Sequence, residues 1–157
     1  MLTITPAQTQ QELDRCLNLR HTVFCVERGV SPSIERDEWD ALSPDVTHFL
    51  IQKDGADTGA LRCRYEDGAA VIQRFCVLKE YRGQGCARGA LKAVEAYCKA
   101  RGVLRIELDA KFEVCGFYEK CGYTKASAPF EEAGIPHVKM IKELCNSGQE
   151  ESNDGLI

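Results

Sequence analysis

A glycine-rich turn joins an apolar strand to an amphipathic helix in this chain, and that junction narrows the folds open to it. Phe75-Cys76-Val77-Leu78 reads as the end of a strand and Arg82-Gly83-Gln84-Gly85-Cys86-Ala87 as the turn. From there, Ala87, Ala90, Leu91, Val94, Tyr97 and Cys98 share one helical face until Gly102 stops the helix. A helix entered this way leaves backbone N–H groups unpaired at its positive end, which suits phosphate oxygens. Gly83 and Gly85 allow the backbone to approach a ligand closely, and Arg82 adds a cation at the rim. Spacing excludes two common phosphate binders. Arg88 stands where a dinucleotide fingerprint wants its third glycine, and no G-x-x-x-x-G-K-[ST] run exists.

The elements around the turn predict an α/β fold. Leu2–Thr5 alternates like an edge strand, and a helix is expected from Ala7 to about Val26, capped by Thr5 or a neighbour, with Leu13, Cys16, Leu17, Arg20, Val23 and Phe24 at helical spacing. Gly29 to Pro44 reads as a long loop of the kind that is usually functional or mobile. Asp54-Gly55 and Asp67-Gly68 are hairpin signals between three strands, His48–Lys53, Thr58–Tyr65 and Ala70–Leu78. Beyond the crossover helix come a strand over Val103–Leu108, a helix from Lys111 or Phe112 to Lys120, and a strand beginning at Gly122-Tyr123-Thr124. A loop over Pro129–Pro136 and a last strand over His137–Leu144 complete the order. Hairpins combined with one crossover unit predict a central mixed sheet with the anion site at a strand's C-terminal end. One domain is expected over residues 1–145, followed by a polar, disordered tail over 146–157.

Charge and cysteine usage remove several function classes. Three of the acids sit in the last ten residues, so the body of this −4 chain is close to neutral and offers no basic patch for nucleic acid. No run approaches the roughly 18 apolar residues of a membrane span, and the N-terminus does not read as a secretory signal. The nine cysteines are odd in number and scattered, without a C-x-x-C pair, and His21, His48 and His137 show no ligand spacing with them. Reduced structural thiols, no metal and an intracellular location are therefore expected: cytoplasmic, or nuclear in a eukaryotic cell.

Arg82, Gly85 and Ala87 fit Arg-x-x-Gly-x-Ala, which resembles the acyl-CoA pyrophosphate loop of the GNAT superfamily of N-acetyltransferases. About thirty residues beyond Ala87, Phe117-Tyr118-Glu119-Lys120-Cys121-Gly122-Tyr123 resembles the family's Phe-Tyr-x-x-x-Gly-Phe/Tyr segment. Gly134-Ile135-Pro136-His137 is similar to the ending of a subset of small GNAT proteins, as are Arg20, Val23-Phe24, Glu27 and Gly29-Val30 to their N-terminal halves. Lys79 and Lys111 depart from the family pattern, at positions often held by proline and by asparagine or glutamine.

The resemblance implies a GNAT-like, mostly antiparallel sheet flanked by helices and an N-acetyltransferase using acetyl-CoA. Cofactor contacts would come from Phe75, Cys76, Val77, Arg82, Gly83, Gln84, Gly85, Cys86, Ala87 and Phe117, with the backbone of Phe75–Val77 pairing with pantetheine and polarising the thioester. Tyr118 would protonate the leaving thiolate. Glu27 is the first choice of general base, and water relayed by a carboxylate is its equal rival. Glu35, Asp37 and Asp40 read as solvated loop acids able to attract a cationic amine, and His137 as a hydrogen-bonded strand residue. Cys76 and Cys115 lack an activating base nearby in sequence, which favours direct transfer in a ternary complex. The partner is a small-molecule or peptide amine, and the protein a monomer or homodimer. A CoA-binding regulatory module without catalysis is the alternative.

Overall fold

In a computed structural model, residues 1–144 are described. The fold is the α/β class expected: an eight-stranded, mostly antiparallel sheet flanked by helices. Packing divides the chain into two compact units, Met1–Tyr65 with Ile72–Val94, and Glu66–Val71 with the described residues from Glu95 onward. The proposed boundary at 145 and the tail over 146–157 lie outside the described residues.

The first unit begins with β1 (Leu2–Pro6), antiparallel to β2 (Val46–Lys53) with Ile4 opposite Ile51. Because Pro6 still pairs with Phe49, the following helix α1 spans Gln10–Arg20, later than the expected start at Ala7. Its cap is Thr9, not Thr5. The Thr9 hydroxyl accepts from Glu12 N–H at 3.2 Å and the Glu12 carboxylate accepts from Thr9 N–H at 3.1 Å, a reciprocal capping box. The helix then widens into a π-helical segment, His21–Glu27, and a short α2, Pro32–Glu35, interrupts the expected loop. β2 turns into β3 (Ala56–Glu66) through Asp54 and Gly55, with φ +50° and +84°, the left-handed pair a two-residue hairpin needs. β4 (Ala69–Val77) runs beside β3, and Leu78 N–H still donates to Thr58 C=O at 2.7 Å. Cys16, Leu19, Val23, Leu50, Ala60 and Cys76 form one buried cluster, so the apolar stripe of α1 covers β2, β3 and β4. Helix α3 (Cys86–Ala100) follows the glycine turn.

In the second unit, β8 (Ile135–Glu143) is central. It pairs antiparallel with β5 (Arg105–Lys111), β6 (Thr124–Lys125) and β7 (Phe130–Glu132). Alternate residues Ile106, Leu108 and Ala110 of β5 are buried. The segment between β5 and β6 holds a 3₁₀ turn, Phe112–Val114, and the short helix α4, Cys115–Lys120. The expected loop over Pro129–Pro136 is instead a hairpin. Glu132 pairs with Ile135 around Ala133 and Gly134, at φ +52° and +77°. Alanine seldom adopts that conformation, which is why the sequence gives no ordinary turn signal there.

Candidate functional site

Between β4 and α3, a 3₁₀ turn (Lys79–Tyr81) delivers the chain to Arg82–Gly85. Gly83 and Gly85 sit at φ +77° and +84°, where a side chain is strained. Around both, the position of a Cβ is open, so conformation rather than crowding by neighbouring protein requires glycine. Gly89 N–H donates to Gly85 C=O at 3.0 Å as α3 begins, so the N–H groups of Cys86, Ala87 and Arg88 precede the helix's own ladder. The buried Cys86 side chain pins this end of α3 to the core. Gln84 is held from two sides, accepting from Lys53 Nζ at 2.7 Å and donating to Glu80 C=O at 3.1 Å.

The Arg82 guanidinium is fully engaged. Nε donates to Val77 C=O at 2.9 Å, while Nη1 and Nη2 grip both Glu27 carboxylate oxygens at 2.7 and 2.8 Å. The structure therefore brings together the end of β4, the turn and the end of the π-helical segment. Hydrogen bonds from Arg82 hold the Glu27 carboxyl below its ordinary range. In this pairing Glu27 is a weaker base than a free glutamate, and Arg82 is not a free cation at the rim.

Glu35, Asp37 and Asp40 are not solvated loop acids. Arg20, buried on the stripe of α1, donates from Nε to Glu35 Oε2 at 2.6 Å and from Nη2 to Glu35 C=O at 3.0 Å; its Nη1 and Nη2 reach Asp40 at 2.5 and 3.0 Å. Arg62 of β3, equally buried, binds Asp37 with two bonds of 2.7 Å and Asp40 with one of 2.8 Å, and also donates to Gln73 Oε1. Arg74 of β4 completes the network. Burying these side chains is tolerable only because three cations face three anions with direct hydrogen bonds. Among the buried side-chain oxygens and nitrogens of the described residues, Glu35 Oε1 alone lacks a hydrogen bond, with Arg36 Nε 3.6 Å away. Burial opposes the ionisation of Asp40, but bonds from Arg20 and from Asp37 N–H hold its carboxyl at about 2.

Within the strand end, the Cys76 thiol is pushed up to about 12 by burial, which makes it unreactive as an acyl carrier. In the second unit, Phe117 and Tyr118 lie on α4. The half-buried Tyr118 ring meets Phe117 and Tyr123 edge-on, with centroids 5.2 and 5.8 Å away. Burial, with the Cys121 and Cys115 thiols adding to it, pushes the Tyr118 hydroxyl up to about 12. The phenol thus stays protonated at neutral pH. Tyr123 is fixed in turn by its hydroxyl bond to Glu95 Oε2 at 2.8 Å, and Lys142 Nζ donates to Glu95 Oε1 at 2.9 Å. His137 Nδ1 lies 2.7 Å from Ile135 C=O, a strand-end hydrogen bond.

The family described as "Acetyltransferase (GNAT) domain" matches residues 6–144. The chain belongs to the GNAT acetyltransferase family. YyaT of Bacillus subtilis (strain 168) is 34% identical over 146 residues, which are 93% of this chain and 99% of YyaT. An acyl-CoA N-acyltransferase from Pseudomonas aeruginosa superposes at a TM-score of 0.76 with 26% identity, over 90% of this chain and 99% of its own. An aminoglycoside 6′-N-acetyltransferase complexed with coenzyme A shares the fold at 14% identity and a TM-score of 0.72, over 90% and 97% of the two chains.

On this GNAT chain, sequence reasoning missed the buried arginine network. Two signals for it were present. Arg20 occupies a core position of the α1 stripe, and Arg62 lies between Leu61 and Cys63 in a strand buried on both faces. A long cation at such a site requires a buried anion from elsewhere. Among the described residues no group of three or more His, Cys, Asp or Glu could hold a metal ion, and no helix is long and apolar enough to cross a membrane.

Proposed function

We propose that this GNAT protein transfers an acetyl group from acetyl-CoA to a primary amine directly, in a ternary complex. The observation that carries the reading is the turn at the start of α3, where two left-handed glycines lead into a helix whose first N–H groups are unused by its own ladder. The N–H groups from Gly83 to Ala87 would hold the pyrophosphate, and the backbone of Phe75–Val77 would run along pantetheine and polarise the thioester carbonyl. The neutral amine attacks that carbon, the C–S bond breaks, and the thiolate accepts a hydrogen bond or proton from Tyr118. With Tyr118 at about 12 and a thiol ordinarily near 8.5, full transfer to a free thiolate runs uphill. Donation while the C–S bond is breaking is the favoured form of its action. The engaged state of Glu27 favours water as the path for the amine's proton until the Arg82 pair opens.

Calorimetry tests the cosubstrate. Coenzyme A should bind the wild type well above NAD and ATP, and Gly85→Glu should abolish binding by setting a side chain and a negative charge in the anion site. Unchanged affinity in that variant would remove the proposal's foundation. The alternative, a silent CoA-binding module, is favoured by the same tied Glu27. A screen of polyamines, amino sugars, amino acids and peptides for thiol release decides between them. With an accepted amine in hand, Tyr118→Phe should lower turnover by roughly 10²–10⁴-fold while CoA affinity survives. Wild-type turnover in that variant reduces Tyr118 to packing.

A further inference from the structure

Arg74 lies inside β4 yet has φ +55°. A non-glycine residue held left-handed in a strand is strained and persists only when its surroundings fix it. Here the surroundings are unusually specific. Arg74 Nε donates to Glu35 C=O at 3.1 Å and Nη2 to Asp37 Oδ2 at 3.3 Å, while Nε lies 3.7 Å from Glu35 Oε2. The preceding residue is gripped as well, because Gln73 Oε1 accepts from Arg62 Nε and Nη2 at 3.1 and 2.9 Å. Arg62 binds the same Asp37, and Arg20 binds the same Glu35. Two consecutive strand residues are thus anchored in one buried network, and Phe75-Cys76-Val77 follows immediately.

We propose that Arg74 is a positioning residue. Tethered to Glu35 and Asp37, it holds the kink that sets where the N–H groups of Phe75–Val77 point, and so aims them at the acyl carbonyl. The inference rests on the reading that these three residues line the bound thioester, and adds a residue that acts on it without touching it. It also gives the buried network a task beyond stability: the loop carrying Glu35 and Asp37 and the strand carrying the acyl contacts become one rigid piece. An N–H donor aimed at a developing oxyanion is effective only when preorganised, so a relaxed strand would lose polarisation before it lost binding.

The test reads the carbonyl itself and needs no acceptor. Acetyl-CoA labelled with ¹³C at the thioester carbonyl is bound to the wild type and to Arg74→Gly, Arg74→Asn and Arg74→Lys, and its infrared stretch is compared with that of the free ligand. Glycine and asparagine accept the left-handed conformation but cannot span to Glu35 and Asp37, whereas lysine can still reach the Glu35 carbonyl. The wild type should lower the frequency. The Gly and Asn variants should lose more than half of that shift while binding unlabelled CoA nearly as well as the wild type, and Lys should recover part of it. A purely structural role would lower the melting temperature and leave the bound frequency alone. An unchanged shift in either folded variant, or a wild type that binds acetyl-CoA without any shift, overturns the inference. A wild type that binds neither CoA nor acetyl-CoA sinks the acetyltransferase reading along with it.

Discussion

The glycine turn before α3 and the arginine–carboxylate network beside β4 belong to the same unit but are built in opposite ways. The turn is a property of six consecutive residues, presents backbone groups, and is largely exposed. The network takes side chains from α1, from the loop around α2, from β3 and from β4, and Arg20 and Arg62 are each only 1% exposed. The first can be altered locally, at a cost confined to a few backbone dihedrals. The second is coupled, because removing one member strands its partners in a medium where an unpaired charge is expensive. An exposed turn can therefore be tuned residue by residue, whereas a buried ionic network changes as a whole.

The sharpest attempt to break that contrast is Arg20→Met, which leaves Glu35 and Asp40 without their main cation. A loss of about 3–5 kcal/mol is expected in denaturant unfolding. A loss below 1 kcal/mol would mean that the network relaxes as freely as a surface cluster, and the distinction between the two regions would fall.

A smaller effect follows from protons. The Asp40 carboxyl stands at about 2 against an ordinary 3.8, so this depressed group contributes stability that is complete above the ordinary value and lost as pH falls through the folded one. The contribution is about 2 kcal/mol, disappearing between about pH 5 and 2. Unfolding measured across that range should show the decline, and Asp40→Asn should flatten it while lowering stability at neutral pH. An identical acid slope in the variant would assign the decline to other carboxylates.

The same contrast explains what could be read from the sequence. Asp54-Gly55, Gly83 and Gly85 announce themselves because the conformation they serve is local, and glycine or aspartate supplies it within the turn itself. Thr9 was missed as the cap since Pro6 looks like a strand terminator, yet it still pairs with Phe49. The network was misread for a deeper reason. Glu35, Asp37 and Asp40 sit in a proline- and acid-rich segment that resembles a solvated loop, and the network cations that bind them lie 15 to 39 residues away. Ion pairing has no sequence period, so nothing in the spacing tells a buried acid from an exposed one. Tyr118 falls between these cases: its motif marks the position, but the burial that pushes its hydroxyl up depends on the fold.

The smallest expected effect joins the two regions at Glu27. Its carboxylate is an ion-pair partner like those of the network, but it is spent on Arg82 of the turn, with about a third of each side chain exposed. Exposed pairs are weak, so this one should exchange more easily than the buried pairs of the network. An incoming pyrophosphate and the Glu27 carboxylate would compete for one guanidinium. Glu27→Gln removes a negative charge beside the proposed anion site and leaves Arg82 only a neutral acceptor. Coenzyme A should then bind roughly two- to five-fold more tightly, the scale of an exposed ion pair, and the gain should shrink as salt rises. Titration calorimetry at two ionic strengths measures both. Weaker binding in the variant would show the reverse dependence: the Glu27–Arg82 pair would be a brace that shapes the turn, and this contact would behave like a member of the network rather than of the surface.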